Sequence, residues 1–137
     1  MKLLLTVVLL TLTLSTASFC QGKAATAATE SADRWLALVD AGQYAESWDT
    51  AAPLFKGATD RDRWVKISHS TRSSLGKVVS RTMKSAVYTT TLPGAPDGQY
   101  VVIQYESSFA HKKSAIETVT TSLEKDDQWK VCGYFIR

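Results

Sequence analysis

The sequence predicts an α+β domain in which three N-terminal helices pack on one face of a curved four-stranded antiparallel meander. Three observations carry the prediction. Apolar residues recur at helical spacing from Ala32 to Leu75, and beyond Gly76 the period falls from about 3.6 to 2. The composition shifts at the same point toward Val, Thr, Tyr and Ile, the residues that suit a pleated, half-buried surface. Clusters of turn residues then divide the second half into four runs joined by short connections, which favours antiparallel neighbours.

The first helix places Ala32, Trp35, Leu36 and Val39 on one face, with Asp33, Arg34 and Asp40 elsewhere around it, and Gly42 ends it. A second helical stretch aligns Tyr44, Trp48, Ala52 and Phe55, with Pro53 either kinking it or starting a fresh turn. Thr59 followed by Asp62 suggests a capped start for the third helix, which carries Trp64 and Ile67 and stops at Leu75-Gly76. The strands follow at 77–92, 99–109, 114–124 and 129–136, and sequence Pro93-Gly-Ala-Pro-Asp-Gly98 makes the first connection. Helices on one face of such a sheet can leave a pocket between the layers.

Ahead of this domain, Met1 and Lys2 form a short positive start, and Leu3 to Leu14 is an apolar run broken only by threonines. That pattern suits a secretory signal and is short for a membrane span. Small residues at −1 and −3 allow cleavage after Ala17, Cys20 or Ala27, and Cys20 is the preferred site. The expected organisation is a signal peptide over 1–20, a mobile small-residue linker over 21–29 and a single domain over 30–137. A lipid-anchored Cys20 is the lesser alternative, because Phe19 stands where a small residue is needed. The expected location is periplasmic or secreted, with no stable membrane insertion after cleavage.

Removing residues 1–20 leaves 117 residues, enough for one core, and takes away one charge, so the formal charge falls from +3 to +2. Mixed acids and bases without a like-sign run argue against a nucleic-acid partner. Export permits disulfides, but the chain has only Cys20 and Cys132, so Cys132 is expected to be unpaired and buried as a small hydrophobe.

Several fragments in fixed order carry a resemblance to a known family. They are Trp35-Leu-Ala-Leu-Val-Asp40 with Gly42, Tyr44 and Ser47-Trp48, then Leu75-Gly76, Leu92-Pro-Gly-Ala-Pro-Asp-Gly98 with Tyr100, and finally Glu117-Thr118, Glu124, Trp129-Lys-Val131, Gly133-Tyr134 and Ile136. Together they resemble domain-of-unknown-function family 4019 over nearly the whole mature chain. The resemblance implies a small exported bacterial protein and assigns no chemistry. The order of elements is also similar to the nuclear-transport-factor-2-like folds, which implies a cone-like shape. The chain departs from the family pattern Arg-x-Pro-Leu-Gly at Ser74, two residues after Arg72.

No motif names a reaction. His69 and His111 lack carboxylate or cysteine companions at metal-ligand spacing, Gly94 to Gly98 lacks the lysine and helix of a phosphate cradle, and no Gly-x-Ser-x-Gly elbow is present. No residue is assigned as catalytic or metal-binding, and no cofactor is expected. The candidate pocket residues are Tyr105, Glu117 and Trp48. Glu117 alternates with Val119, Thr121 and Leu123; if that face is inside, burial favours the neutral acid and makes Glu117 an acid/base candidate. The opposite face is equally suited to the core, and a solvated Glu117 is the preferred expectation. Tyr105 could present a polar tip to a pocket, and the aromatic set Trp35, Trp48, Trp64, Tyr44 and Phe55 is expected mainly as core. The expected function is a non-enzymatic module of the cell envelope that binds a small molecule or an envelope protein, with a cone-fold enzyme using Glu117 as the alternative.

Overall fold

The computed structural model describes residues 15–137. Helix α1 (Ser15–Asp40) is followed by α2 (Tyr44–Asp49), α3 (Pro53–Ala58) and α4 (Arg61–Leu75). Strands β1 (Val78–Thr89), β2 (Tyr100–Phe109), β3 (Lys112–Leu123) and β4 (Trp129–Ile136) then form one antiparallel sheet in sequence order. The α+β layout and the meander agree with the sequence expectation. Among the described residues four helices stand where three were expected, because Pro53 occupies the first turn of a separate helix, where its missing N–H costs nothing.

Two local expectations need correction. Residues 21–29 are not a linker but continue α1. Alanine is the strongest helix former and four of these residues are alanines, while the Thr29 hydroxyl donates to the Ala25 carbonyl at 2.8 Å. Ala28 is already fully buried. The N-cap of α4 is Asp60 rather than Thr59: its carboxylate accepts from the Arg63 N–H at 2.8 Å, and Thr59 instead closes α3. Ile67, on the same helix, is about half exposed. Most of the proposed signal segment, residues 1–14, lies outside the described residues.

The core forms where the α1 stripe of Ala32, Trp35, Leu36 and Val39 meets Val101, Ile103 and Val119 of the central strands. Trp35 organises it, with ring centroids 5.9 Å from Phe55, 5.7 Å from Trp64 and 5.2 Å from Tyr134, and its indole N–H donates to the Ser47 carbonyl. Gly76 turns the chain from α4 into β1 with φ 76° and ψ −169°, a conformation open essentially to glycine alone.

The inner face of β2 and β3 is read out by odd-numbered residues: Val101, Ile103, Tyr105 and Ser107 opposite Ala115, Glu117, Val119 and Thr121. On the outer strands this alternation is broken. A register shift between Met83 and Ser85 lets Arg81 and then Ala86 and Tyr88 reach the helix side of β1. A second shift, between Thr120 and Thr121 against β4, moves inward positions from Val131 to Tyr134. Each bulge adds one residue and so reverses the parity of everything beyond it. The two reversals bring Arg81 and Tyr134 to the same face as Glu117.

Candidate functional site

Glu117 points inward and is 0% exposed, so the expectation of a solvated carboxylate is overturned. The reason is compensation. Arg81 Nε donates to Glu117 Oε1 at 2.7 Å and Arg81 Nη2 to Oε2 at 3.2 Å. Ser107 Oγ donates to Oε1 at 2.5 Å, and the Tyr134 hydroxyl donates to Oε2. A buried carboxylate is tolerated only when paired and hydrogen-bonded, and this one receives four donors. The sheet register explains the convergence, since Arg81 stands opposite Ser107, Tyr105 opposite Glu117, and Val119 opposite Tyr134, which makes Tyr134 a diagonal neighbour of Glu117.

The network extends to the helices. Arg81 Nη1 and Nη2 donate to the Asp40 carboxylate at 2.7 and 3.1 Å, at the C-terminal end of α1. Arg72 Nη2, in the last turn of α4, donates to Asp40 Oδ1 at 2.5 Å. Two guanidiniums and two carboxylates thus close a formally neutral chain that ties α1 and α4 to β1 and β3. Burial pushes the Asp40 carboxyl up, but the hydrogen bonds from Arg81 and Arg72 outweigh it and hold the group below the usual carboxylate range. Burial also works against the charge on Arg81, and its bonds to Asp40 and Glu117 more than restore it.

Tyr105 is buried, with its hydroxyl donating to Asp33 Oδ1 at 2.8 Å. Burial, with the Asp33 carboxylate second, pushes its pKa well above the ordinary phenol value. Burial does the same for Tyr134, with Glu117 adding to it. Both phenols are therefore held as neutral donors. Tyr105 and Glu117, named from the sequence, are cross-strand partners in one polar layer. Trp48 lies apart, half-buried against the core, with its indole N–H donating to the Thr59 carbonyl at 2.8 Å and Lys56 Nζ 5.1 Å from its ring. Cys132 is buried and unpaired as expected, and burial pushes its thiol up to about 11.

Beside the network lies a cavity of about 230 Å³ between α4 and the end of β4. Trp64, Ile67, Ser68 and Arg72 line its helix side, and Tyr134 with Phe135 its strand side. Arg72 and Tyr134 belong to both cavity and network. Ser68 Oγ, Arg72 Nη1 and Thr118 Oγ1 are shut off from solvent and have no hydrogen-bond partner in the protein. Sequence reasoning missed Arg72, Arg81, Asp40, Ser68 and Tyr134. The signal for Arg72 was its helical spacing from Trp64 and Ser68 on the apolar side of α4; Arg81 and Tyr134 could not be found, because unseen bulges set which way they point. Among the described residues no cluster of metal-ligating side chains occurs, and no helix is long and apolar enough to cross a membrane.

A solved structure from Catenulispora Acidiphila is similar at a TM-score of 0.57 and 11% identity, covering 87% of this chain and 94% of that one. At that identity the likeness speaks for the fold alone. No curated protein matches the chain. The family described as protein of unknown function, DUF4019, matches over residues 31–134, from the buried face of α1 to the tyrosine of the network. The chain belongs to the DUF4019 family.

Proposed function

We propose that this protein is an exported, non-enzymatic binding module of the cell envelope whose site is the cavity between α4 and β4. The observation that carries this reading is the cavity itself, about 230 Å³, in which Trp64, Ile67 and Phe135 form an apolar wall beside the polar residues Thr71, Arg72 and Tyr134. Small-molecule sites combine an apolar lining with a few convergent polar groups in this way.

The acid/base alternative draws no comparable support. Glu117 already accepts four hydrogen bonds and is fully buried, so it has neither a free lone pair nor a path to a substrate. A general base must reach the proton it removes.

Export is supported by Met1-Lys2 and the apolar run Leu3 to Leu14. Cleavage after Cys20 would remove only part of the exposed start of α1, since among the described residues the first fully buried side chain is Ala28. Native mass spectrometry of the protein purified from its own envelope fraction tests both parts. The expected result is a mature chain beginning near Gln21 and an additional small mass that leaves on denaturation. A full-length chain confined to the cytoplasm would overturn the export reading. A ligand-free mature chain whose Trp64 indole signal is unmoved by a fragment library would overturn the binding reading.

A further inference from the structure

Strand β4 lies at the margin of the sheet, so one side of its backbone faces β3 and the other has no strand beside it. The register decides which groups face which way. Ile116 and Arg137 exchange both backbone hydrogen bonds, at 2.8 and 3.0 Å, and in an antiparallel pair such bonded residues alternate with non-bonded ones. Phe135 and Gly133 therefore bond to Thr118 and Thr120, whereas Tyr134 and Ile136 turn their N–H and C=O groups away from β3. Nearer the start of the strand this outward edge is covered: the Trp129 carbonyl accepts from Ser31 Oγ at 2.6 Å, and the Val131 carbonyl from the Ala52 N–H at 2.8 Å. At Tyr134 and Ile136 no described residue supplies such a partner. The cavity beside α4 opens on this uncovered stretch, since Tyr134, Phe135 and Ile136 all line it. Successive side chains of a strand point to opposite faces, so three consecutive residues line one cavity only where it meets the strand along its edge.

Backbone donors and acceptors two residues apart, beside an apolar hollow, are what an extended peptide complements. We propose that the groove between α4 and β4 binds an extended segment of a partner protein, which adds to the sheet as a fifth strand, antiparallel to β4. Two of its residues, two apart, pair with Tyr134 and Ile136 and place their side chains on the helix side; the residue between them lies beside Phe135 on the outer face. One of the two inward side chains enters the cavity against Trp64 and Ile67. A dry cavity of roughly 150 Å³ holds a benzene, so one of about 230 Å³ takes one leucine- or phenylalanine-sized group rather than two. That group is uncharged, because Arg72 on the cavity wall is already paired with Asp40. A second copy of this chain fits less well. Paired strands lie about 4.8 Å apart and packed helices about 8–10 Å, and joining β4 to β4 about a two-fold axis brings two α4 helices to the same side of that edge. The proposal deepens the binding reading above and rests on it in taking the cavity as the site.

The test titrates the isotope-labelled purified protein with the capped peptide acetyl-Ser-Leu-Thr-Val-Ser-amide, following the Trp64 indole resonance and amide hydrogen exchange. Two control peptides accompany it, one N-methylated at Leu and Val and one with Ala in place of both. The parent peptide should bind with a Kd of about 1 mM or tighter. It should slow exchange at the Tyr134 and Ile136 amides about tenfold and leave Gly133 and Phe135, already bonded to β3, unchanged. N-methylation removes the donors to the strand edge and alanine empties the cavity, so each should weaken binding about tenfold or more. Ile67→Ser, at a half-exposed position that the fold tolerates, should weaken it about threefold. An N-methylated peptide that shifts Trp64 as well as the parent, with Tyr134 and Ile136 unprotected, would overturn strand addition and leave the cavity as a small-molecule site. Protection of those two amides in the free protein that rises with its concentration would overturn the peptide in favour of a second copy. A parent peptide that fails to bind while a small apolar fragment still shifts Trp64 would overturn the peptide alone; failure of both would overturn the site itself.

Discussion

Arg81→Met removes the guanidinium between Glu117 and Asp40 and leaves a flexible stem of similar length in its place. Removing one partner of a buried ion pair typically costs about 3–5 kcal/mol, because the other charge stays behind uncompensated. The two arms are unequal here. Glu117 is 0% exposed and Asp40 29%, so water screens the Asp40 arm and nearly all of the cost falls on Glu117. Glu117 keeps Ser107 and Tyr134 as donors, which points to the lower end, about 3 kcal/mol. Against the ~5–15 kcal/mol that holds a typical domain together, this is a large fraction. With a urea m-value of about 1.5 kcal/mol/M, the unfolding midpoint should fall by about 2 M. The double variant Arg81→Met/Glu117→Gln removes both charges and should recover at least ~1 kcal/mol relative to Arg81→Met alone, since a buried pair is worth far less than the penalty for breaking it. A midpoint shift below about 0.5 M, or a double variant whose cost equals the sum of the singles, would refute the argument that Arg81 is what makes Glu117 tolerable inside.

Three further outcomes follow from the same structure. Gly76→Ala forces a Cβ to 2.9 Å from the Ala110 Cβ at φ 76°, and should cost about 2–4 kcal/mol, read as a fall in Tm of roughly 10 °C or more; an unchanged Tm would mean the α4–β1 turn is not as described. Asp40 has a folded pKa below its unfolded value, so its contribution is complete above about pH 4 and fades as the pH falls through the lower folded value. Asp40→Asn should therefore cost roughly 2 kcal/mol in chemical denaturation at pH 7, and the difference from the parent should shrink toward pH 2; a pH-independent difference would contradict the ionic role of this group. Cys132, with its thiol pushed up to about 11 and its side chain buried, should resist a thiol reagent at pH 8 in the folded protein and react once it is unfolded; prompt reaction in the folded state would contradict its placement.

The amino-acid sequence by itself determined the class of fold and most of its element boundaries. The stripe Ala32, Trp35, Leu36, Val39 and the change of period at Gly76 are local signals, and local signals survive because backbone preference and burial agree at those positions. The family, too, was legible in the ordered fragments from Trp35 to Ile136. Residues 21–29 misled because small polar composition suits a linker as well as a helix, and the contact that buries Ala28 lies far along the chain. The site was legible only in part. Tyr105 and Glu117 were named, yet the face they occupy depends on register, and a period-2 pattern with acceptable residues on both sides leaves that face undetermined. The bulges at Met83/Ser85 and at Thr120/Thr121 reverse the alternation on β1 and β4, and only the paired strands reveal them. Tertiary structure alone decided that Arg81 and Tyr134 turn inward to Glu117, that Asp40 joins Arg81 to Arg72, and that a cavity opens between α4 and the end of β4. The physical reason is that a buried charge is tolerable only through partners, and those partners come from strands and helices up to 41 residues apart.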